Sequence, residues 1–354
     1  MGSLNKRAYC LKERLLGRST FSILDDLLES QHWDKKKMQE RQNANFSEAL
    51  DVAFKKSPFY KELYEKNGVK REDIKDLSDI KKLPVLTKEM FRDNHERMLV
   101  PGFSEEQLCL TRSSGSTGMR LVFRRDNKMS DYALAHQLRG KSWWDIHPGD
   151  REIKFWGTAW TFEETLKGKF TAYLKYLKDR SVGVIHLSAF KVKEGDLKKV
   201  YKLLKSYRPE FLFGYGNALY MFADYIHRNH GSLGDYSPKA VIYTAEYQSK
   251  EKRSLMARSY GAPIVSEFGS VECGIHTYEC REGKHHFSDE SLFFEVLDNN
   301  GENVENGEGC LYLTHLLEKA TPIIRYKIGD IVTIKNNGQD KCSCGLNLTV
   351  FEDI

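Results

Sequence analysis

Apolar residues recur at helical spacing in the first hundred positions of this chain and at strand spacing further on. Phe46, Ala49, Leu50, Ala53 and Phe54 stand at i, i+3, i+4, i+7 and i+8, the buried stripe of a helix. Asn45 with Glu48 three residues on has the form of a capping box, with Asn in the Ser/Thr place, and marks a helix start there. Ser57-Pro58 ends that helix, because the residue before a proline is pushed out of the helical region. Pro84 and Pro101-Gly102 punctuate the segments that follow. Beyond residue 180 strands and helices alternate. Residues 182–187, 211–213, 241–243 and 264–265 read as strands, and 196–207, 217–230 and 249–260 as helices. Such alternation predicts an α/β layered domain with largely parallel pairing. After residue 285 the pattern turns antiparallel. Leu292, Phe294 and Val296 alternate with other residues, and Asn300-Gly301 is a turn signal. Leu311, Leu313, Ile323, Ile324, Ile328, Val332 and Ile334 continue as short strands. Three stretches are therefore expected: a helical part over 1–100, an α/β core over 101–284, and a β-rich part over 285–354.

Composition narrows the class. The 354 residues are 40% apolar and 30% charged, which suits a globular chain rather than a disordered one. With 18 Tyr and 19 Phe, a sizeable core and an aromatic-lined pocket are both allowed. The net charge of +5 is spread along the chain, and no stripe of basic and aromatic residues marks a nucleic-acid groove. Nucleic acid is not an expected partner. No stretch approaches the ~20 apolar residues of a membrane span. Residues 1–18 lack the apolar centre of a signal peptide. The seven cysteines form no secreted disulfide pattern, so a cytoplasmic location is expected.

The segment with the clearest chemistry is Ser113-Ser114-Gly115-Ser116-Thr117-Gly118. Its glycines let the backbone turn tightly and bring N–H groups to an anion, and its hydroxyls add donors for phosphate oxygens. An ordinary polar loop is the bland alternative. The P-loop of NTPases is excluded by spacing, since it needs four residues between its glycines and then Gly-Lys-Ser/Thr. Here two residues separate Gly115 from Gly118, and Met119-Arg120 follows.

This loop resembles the phosphate loop of the adenylate-forming superfamily, within its phenylacetate-CoA ligase and CapK-like branch. Ser57-Pro58-Phe59-Tyr60 and Leu83-Pro84-Val85-Leu86-Thr87-Lys88 resemble that branch's N-terminal landmarks. Ser266-Glu267-Phe268-Gly269-Ser270-Val271-Glu272 resembles the aromatic-Gly-x-x-Glu motif, and Arg325-Tyr326-Lys327-Ile328-Gly329-Asp330 the Tyr-Arg-x-Gly-Asp motif. The resemblance covers nearly the whole chain. It implies the large N-terminal domain of such an enzyme, with sheets sandwiched by helices and a β-rich subdomain. It implies activation of a carboxylic acid by ATP as an acyl-adenylate, release of pyrophosphate, and transfer to CoA, a carrier protein or an amine. A non-catalytic nucleotide- or acyl-binding module of the same fold, in polysaccharide biosynthesis, is the alternative. A homodimer is allowed for.

The same resemblance assigns roles. Residues Ser113 to Gly118 hold the phosphates, and the family's usual lysine after them is replaced by Met119-Arg120. Glu272, with Thr117 nearby, is the catalytic Mg²⁺ candidate, because a carboxylate is a hard oxygen ligand. Phe268, between Glu267 and Gly269, flanks the adenine, and Thr244-Ala245-Glu246 lines its other side. Asp330 holds the ribose hydroxyls, and Arg325 reaches a phosphate or a neighbouring acid. Trp156-Gly157 and Tyr215-Gly216 fall where related enzymes line the acid pocket. Plain core packing is the alternative for Phe268 and these aromatics. Cys280, His286, Cys342 and Cys344 supply the four Cys/His ligands of a structural zinc site, against the alternative of free thiols. The family's small C-terminal lid, with its adenylation lysine, is expected to be absent. No Gly-Arg-x-Asp-Asp hinge follows Phe351-Glu352-Asp353, and neither Lys327 nor Lys341 replaces that lysine.

Overall fold

A computed structural model of the chain describes residues 2–112, 121–157, 174, 176–189, 194–339 and 341–354. The phosphate-loop residues Ser113, Ser114, Gly115, Ser116, Thr117 and Gly118, with Met119 and Arg120, lie outside the described residues. The helices named below are α1 (Gly2–Leu15), α2 (Thr20–Ser30), α3 (Lys35–Lys56), α4 (Pro58–Lys66), α5 (Lys88–Met98), α6 (Lys128–Ser142), α7 (Glu194–Tyr207), α8 (Gly216–His230) and α9 (Lys250–Tyr260). The strands are β1 (Leu108–Arg112), β2 (Val122–Asp126), β3 (Glu152–Phe155), β4 (Val184–Leu187), β5 (Phe211–Tyr215), β6 (Ala240–Thr244) and β7 (Ile264–Ser270). They continue with β8 (Gly274–Glu279), β9 (His285–Phe287), β10 (Leu292–Leu297), β11 (Gly307–His315), β12 (Tyr326–Ile334) and β13 (Val350–Asp353). Among the described residues no helix is long and apolar enough to cross a membrane.

The chain divides into two compact units, each built from two separate stretches: Met1–Arg18 with Gly140–Phe268, and Ser19–Arg139 with Gly269–Ile354. In the first unit the strands run in the order β4-β3-β5-β6-β7, all parallel. Registered residues of parallel strands share a face. One face is apolar: Ile153, Phe155, Ile185, Leu212, Val241 and Ile264 pack with Leu204 of α7, Phe222 of α8 and Met256 and Tyr260 of α9. Each such fully buried side chain is worth about 1.5–3 kcal/mol of transfer free energy. The other face carries Glu152 and Lys154 of β3, Phe211 and Phe213 of β5, Ile242 of β6 and Glu267 of β7. Gly214 sits where β5 passes β3, and a Cβ there would lie 2.4 Å from the Phe155 carbonyl oxygen.

The second unit holds an antiparallel series in the order β10-β11-β12-β13-β9-β8 and the separate hairpin β1-β2. Helix α3 starts ten residues ahead of the expected Asn45/Glu48 box. Asp34 is its cap, accepting the Lys37 N–H at 2.8 Å. Asn45 and Glu48 lie inside the helix, where N–H groups are already bonded to carbonyls four residues back. The predicted stripe is buried at Phe46, Ala49, Leu50 and Ala53. Pro58 opens α4 directly after Ser57, at a position where its missing N–H costs nothing. Ile323 and Ile324 are buried but belong to no strand. The Ile324 N–H donates to the Tyr60 hydroxyl at 3.1 Å, and that hydroxyl donates to the Pro322 carbonyl at 3.1 Å, so a side chain takes the place of a strand neighbour.

Candidate active site

In the second unit the motif residues gather at the turn between β7 and β8. The chain reverses over Val271-Glu272-Cys273, held by Ser270 Oγ, which accepts the Cys273 N–H at 3.0 Å. Gly269 permits the reversal, because a Cβ at that position would lie 2.5 Å from the Gly274 carbonyl oxygen. Gly269→Ala is therefore expected to cost about 1–3 kcal/mol through overpacking. Denaturant unfolding checks this, and an unchanged midpoint counts against the steric account.

The turn delivers a buried carboxylate. Glu272 is 6% exposed and accepts the Tyr326 hydroxyl at 3.3 Å. Among the described residues this is its only hydrogen bond, which leaves lone pairs for another ligand. Tyr326 is itself fully buried, with its ring edge-on to Phe91 of α5 at 5.6 Å. Desolvation first, and then the Glu272 charge, raise its pKa, so the phenol stays protonated and donates. Asp330 follows on β12 with an exposed side chain. Its pKa is nonetheless raised, mainly by crowding of the carboxyl by surrounding protein and then by repulsion from Glu272, against attraction from Lys88.

Lys88 was not singled out as a site residue in the sequence, although it closes the Leu83 to Lys88 landmark. That landmark is docked on β12: the Leu86 N–H donates to the Arg325 carbonyl at 3.0 Å, and the Lys327 N–H to the Leu86 carbonyl at 2.9 Å. The expected phosphate role of Arg325 is not supported by its contacts. Its Nε donates to both Glu295 oxygens at 3.2 and 3.1 Å, and its NH1 to the Lys81 and Leu83 carbonyls at 3.0 and 2.7 Å. Of its two expected targets it meets the neighbouring acid. It clamps the 81–83 segment to β10 from a positive-φ backbone (φ 53).

In the first unit the remaining motif residues line the carboxyl ends of parallel strands, the edge where open α/β sheets bind ligands. Thr244 ends β6 and is buried. Ala245 follows at φ +67, a conformation that costs a non-glycine residue about 1–3 kcal/mol. Glu246 accepts the Asn217 N–H at 2.7 Å, so its carboxylate caps the first turn of α8. Glu267 is buried and Phe268 half-buried at the end of β7. Trp156 and Tyr215 stack at 4.6 Å and 16°, and Trp156 also lies 5.7 Å from Phe213. The two rings pack on each other, and Trp156 remains 39% exposed. Gly157 continues β4 pairing through the Ala189 N–H, which donates to its carbonyl at 3.1 Å. Gly216 opens α8 against the Gln248 side chain, 2.4 Å from where a Cβ would stand. Thr158, Ala159 and Trp160 lie outside the described residues.

A second cluster lies in the β-rich part of the second unit. Cys280 ends β8, His286 lies on β9, and Cys342 and Cys344 precede β13. One ligand atom from each of the four lies within 4.8 Å of every other. Cys280 Sγ is 3.7 Å from Cys342 Sγ, and His286 Nε2 is 3.1 Å from Cys344 Sγ. Burial pushes the Cys344 thiol up to about 12 and the His286 imidazole down to about 4. Elsewhere in this unit, a cleft of about 430 Å³ between α3 and β10 is lined by Met38, Gln42, Phe293, Phe294 and Asn347. Of the motif residues above it contains none.

No protein-family model matches the chain. Protein CapK of Staphylococcus aureus is 27% identical over 297 residues, covering 84% of this chain and 63% of that protein. A phenylacetate-coenzyme A ligase of Thermus thermophilus is 23% identical over 321 residues, covering 88% of this chain and 68% of that enzyme. The chain thus spans about two thirds of the length of the curated relatives it matches, 63% and 68% for these two. Among solved structures, an open 2-hydroxyisobutyryl-CoA ligase in complex with 2-HIB-AMP and CoA matches with TM-score 0.71 at 16% identity, over 90% of this chain and 75% of that one. In sequence the chain is a homologue of CapK and of the phenylacetate-coenzyme A ligases, and it has the fold of the adenylate-forming acyl-CoA ligases.

Proposed function

We propose that this chain activates a carboxylic acid with ATP. The acid's carboxylate attacks the α-phosphate, an acyl-adenylate forms, pyrophosphate leaves, and the acyl group then passes to CoA or another thiol or amine. The observation that carries this reading is the Glu272–Tyr326–Asp330 group, placed by the two motifs that the sequence marked. Glu272 fits a hard divalent cation, because it is a buried carboxylate with lone pairs left over. Bound there, Mg²⁺ would neutralise charge on the phosphate oxygens. Tyr326 holds the Glu272 carboxylate in one orientation by donating to it. Asp330 offers two acceptor oxygens to a vicinal diol such as ribose. Thr244 to Glu246 and Phe268 serve the adenine, and residues Ser113 to Gly118 the phosphates. Pyrophosphate release over a panel of carboxylic acids tests the reading. Release with at least one acid is expected; ATP binding without release from any acid would favour the non-catalytic module.

Cys280, His286, Cys342 and Cys344 hold a structural zinc. Zn–S bonds of about 2.3 Å give a tetrahedral edge near 3.8 Å, close to the 3.7 Å between the Cys280 and Cys342 sulfurs. The cation would cross-link the β8–β9 hairpin to the loop before β13. Protein purified without added zinc is expected to carry about one equivalent by metal analysis. Chelation is expected to lower its unfolding temperature, and metal-free protein of unchanged stability would sink the assignment.

A further inference from the structure

The polar face of the first unit's sheet carries more charge than an acyl pocket needs. Glu152, Lys154 and Trp156 follow one another at alternate positions of the β3 strand and its extension, and so point to one side. Lys154 stands in register with Phe213 of β5. Its Nζ lies 4.8 Å from the Phe213 ring centre and 4.9 Å from that of Trp156. Lys154 is half-buried, and among the described residues it makes no ion pair and no hydrogen bond. Glu152 and Glu267 are buried on the same face, and a second, buried lysine, Lys141, lies 4.8 Å from the Phe211 ring centre.

A partly desolvated ammonium without a counter-ion among the described residues is costly. Two aromatic faces return only about 0.5–2 kcal/mol of that cost. The ammonium also sits one residue pair below Trp156 and Tyr215, at the carboxyl-end rim where a ligand of this fold class enters. A ligand resting on the exposed side of Trp156 has the aromatic stack beneath its carbon skeleton and a cation beside it. A lone carboxylic acid that presents only its reacting group leaves that cation unanswered.

We propose that Lys154 holds a second anionic group on the acid substrate, so that this chain selects acids bearing an anion in addition to the carboxylate that is activated. The inference rests on the acid-activating reading above. It makes Lys154 a specificity residue and leaves the bond changes to the groups already named. No covalent step involves its amine.

The test is direct calorimetric binding of matched acids to the full chain, with pyrophosphate release measured separately. Adipate is compared with monomethyl adipate, and terephthalate and 4-sulfobenzoate with monomethyl terephthalate, so each pair differs in one charge. At least one doubly anionic acid is expected to bind about tenfold or more tightly than its monoester, as for a charge-assisted pair in a partly buried site. Lys154→Met is expected to bring that ratio to near one, Lys154→Arg to keep it, and Lys154→Glu to invert it. Equal binding within every pair, no binding at millimolar concentration, or discrimination that survives Lys154→Met overturns the proposal. Discrimination in binding with no pyrophosphate release from any acid overturns the ligase reading instead and leaves the anion site standing.

Discussion

Glu272→Gln is expected to reduce Mg²⁺-dependent pyrophosphate release by roughly 10²–10³-fold, the equivalent of about 3–4 kcal/mol of lost charge stabilisation. The amide keeps the shape of the side chain and can still accept the Tyr326 hydroxyl, which the carboxylate accepts at 3.3 Å. What it loses is the negative charge and most of its affinity for a hard cation. The unfolding midpoint should therefore barely move while the rate collapses. A steeper requirement for Mg²⁺, read as a higher half-saturating concentration, should accompany the loss. Turnover within a few-fold of the parent protein would remove Glu272 from the metal. Tyr326→Phe provides a milder comparison, because it leaves the charge in place and removes only the group that orients it. A drop well below that of Glu272→Gln is expected.

The largest expected stability effect lies away from the motifs. Arg139 and Glu290 form an ion pair at 2.6 Å with side chains 2% and 0% exposed. The same Glu290 oxygen accepts the Ser30 hydroxyl at 2.7 Å, so α2 and α6 are both tied to the loop ahead of β10. His136 flanks the pair, 3.2 Å from the guanidinium, and reaches Ser291 at 2.7 Å. Glu290→Ala strands a buried guanidinium, and a loss of about 3–5 kcal/mol is expected from removing one partner of such a pair. Replacing both residues, as in Arg139→Met with Glu290→Leu, is expected to recover most of it, since two buried charges are then no longer desolvated. Denaturant unfolding of the two single variants and the double variant measures this. Additive losses in the double variant would show that the pair is not coupled.

Much of the first unit was legible in the sequence because its strands are short apolar runs between amphipathic helices. The predicted strand at 241–243 became Ala240–Thr244, and the predicted helix at 249–260 became Lys250–Tyr260 with Ser249 as its cap. Two local expectations gave way, one to an earlier local cap and one to a tertiary contact. The Asn45/Glu48 box has the right letters, but Asp34 caps the helix earlier and the stripe simply continues through. Ile323 and Ile324 look like strand residues because they are apolar and β-branched, yet Ile323 meets β11 only through its carbonyl, which accepts the His315 N–H at 2.8 Å, and the Ile324 N–H donates to Tyr60, 264 positions away along the chain. No window along the sequence contains that partner.

The site shows the same division. The resemblance to the aromatic-Gly-x-x-Glu motif singled out Glu272 and Gly269; that Gly269 serves a close strand reversal came only from the structure. Cys280, His286, Cys342 and Cys344 were recognisable by ligand type alone. Whether they meet depended on the β9–β13 pairing that sets Val350 beside His286. Arg325 sits in a motif that suggested a phosphate, and only the packed structure turned it toward Glu295. Lys88 closes a landmark but was given no role of its own, and Lys154 carried no signal beyond being one lysine among many. Their significance arises from what stands near them: Asp330 for one, two aromatic rings for the other.

The sequence by itself determined the class of elements and the parallel and antiparallel halves, and it marked the candidate residues for phosphate, metal and nucleotide. These depend on periodicity, turn chemistry and side-chain type, all of which are local. The tertiary structure decided that each compact unit draws on two separate stretches of chain, that Trp156 and Tyr215 stack on each other, and which charges are already paired. Those outcomes depend on the distances between residues far apart in the chain, and such distances exist only once the backbone has closed on itself.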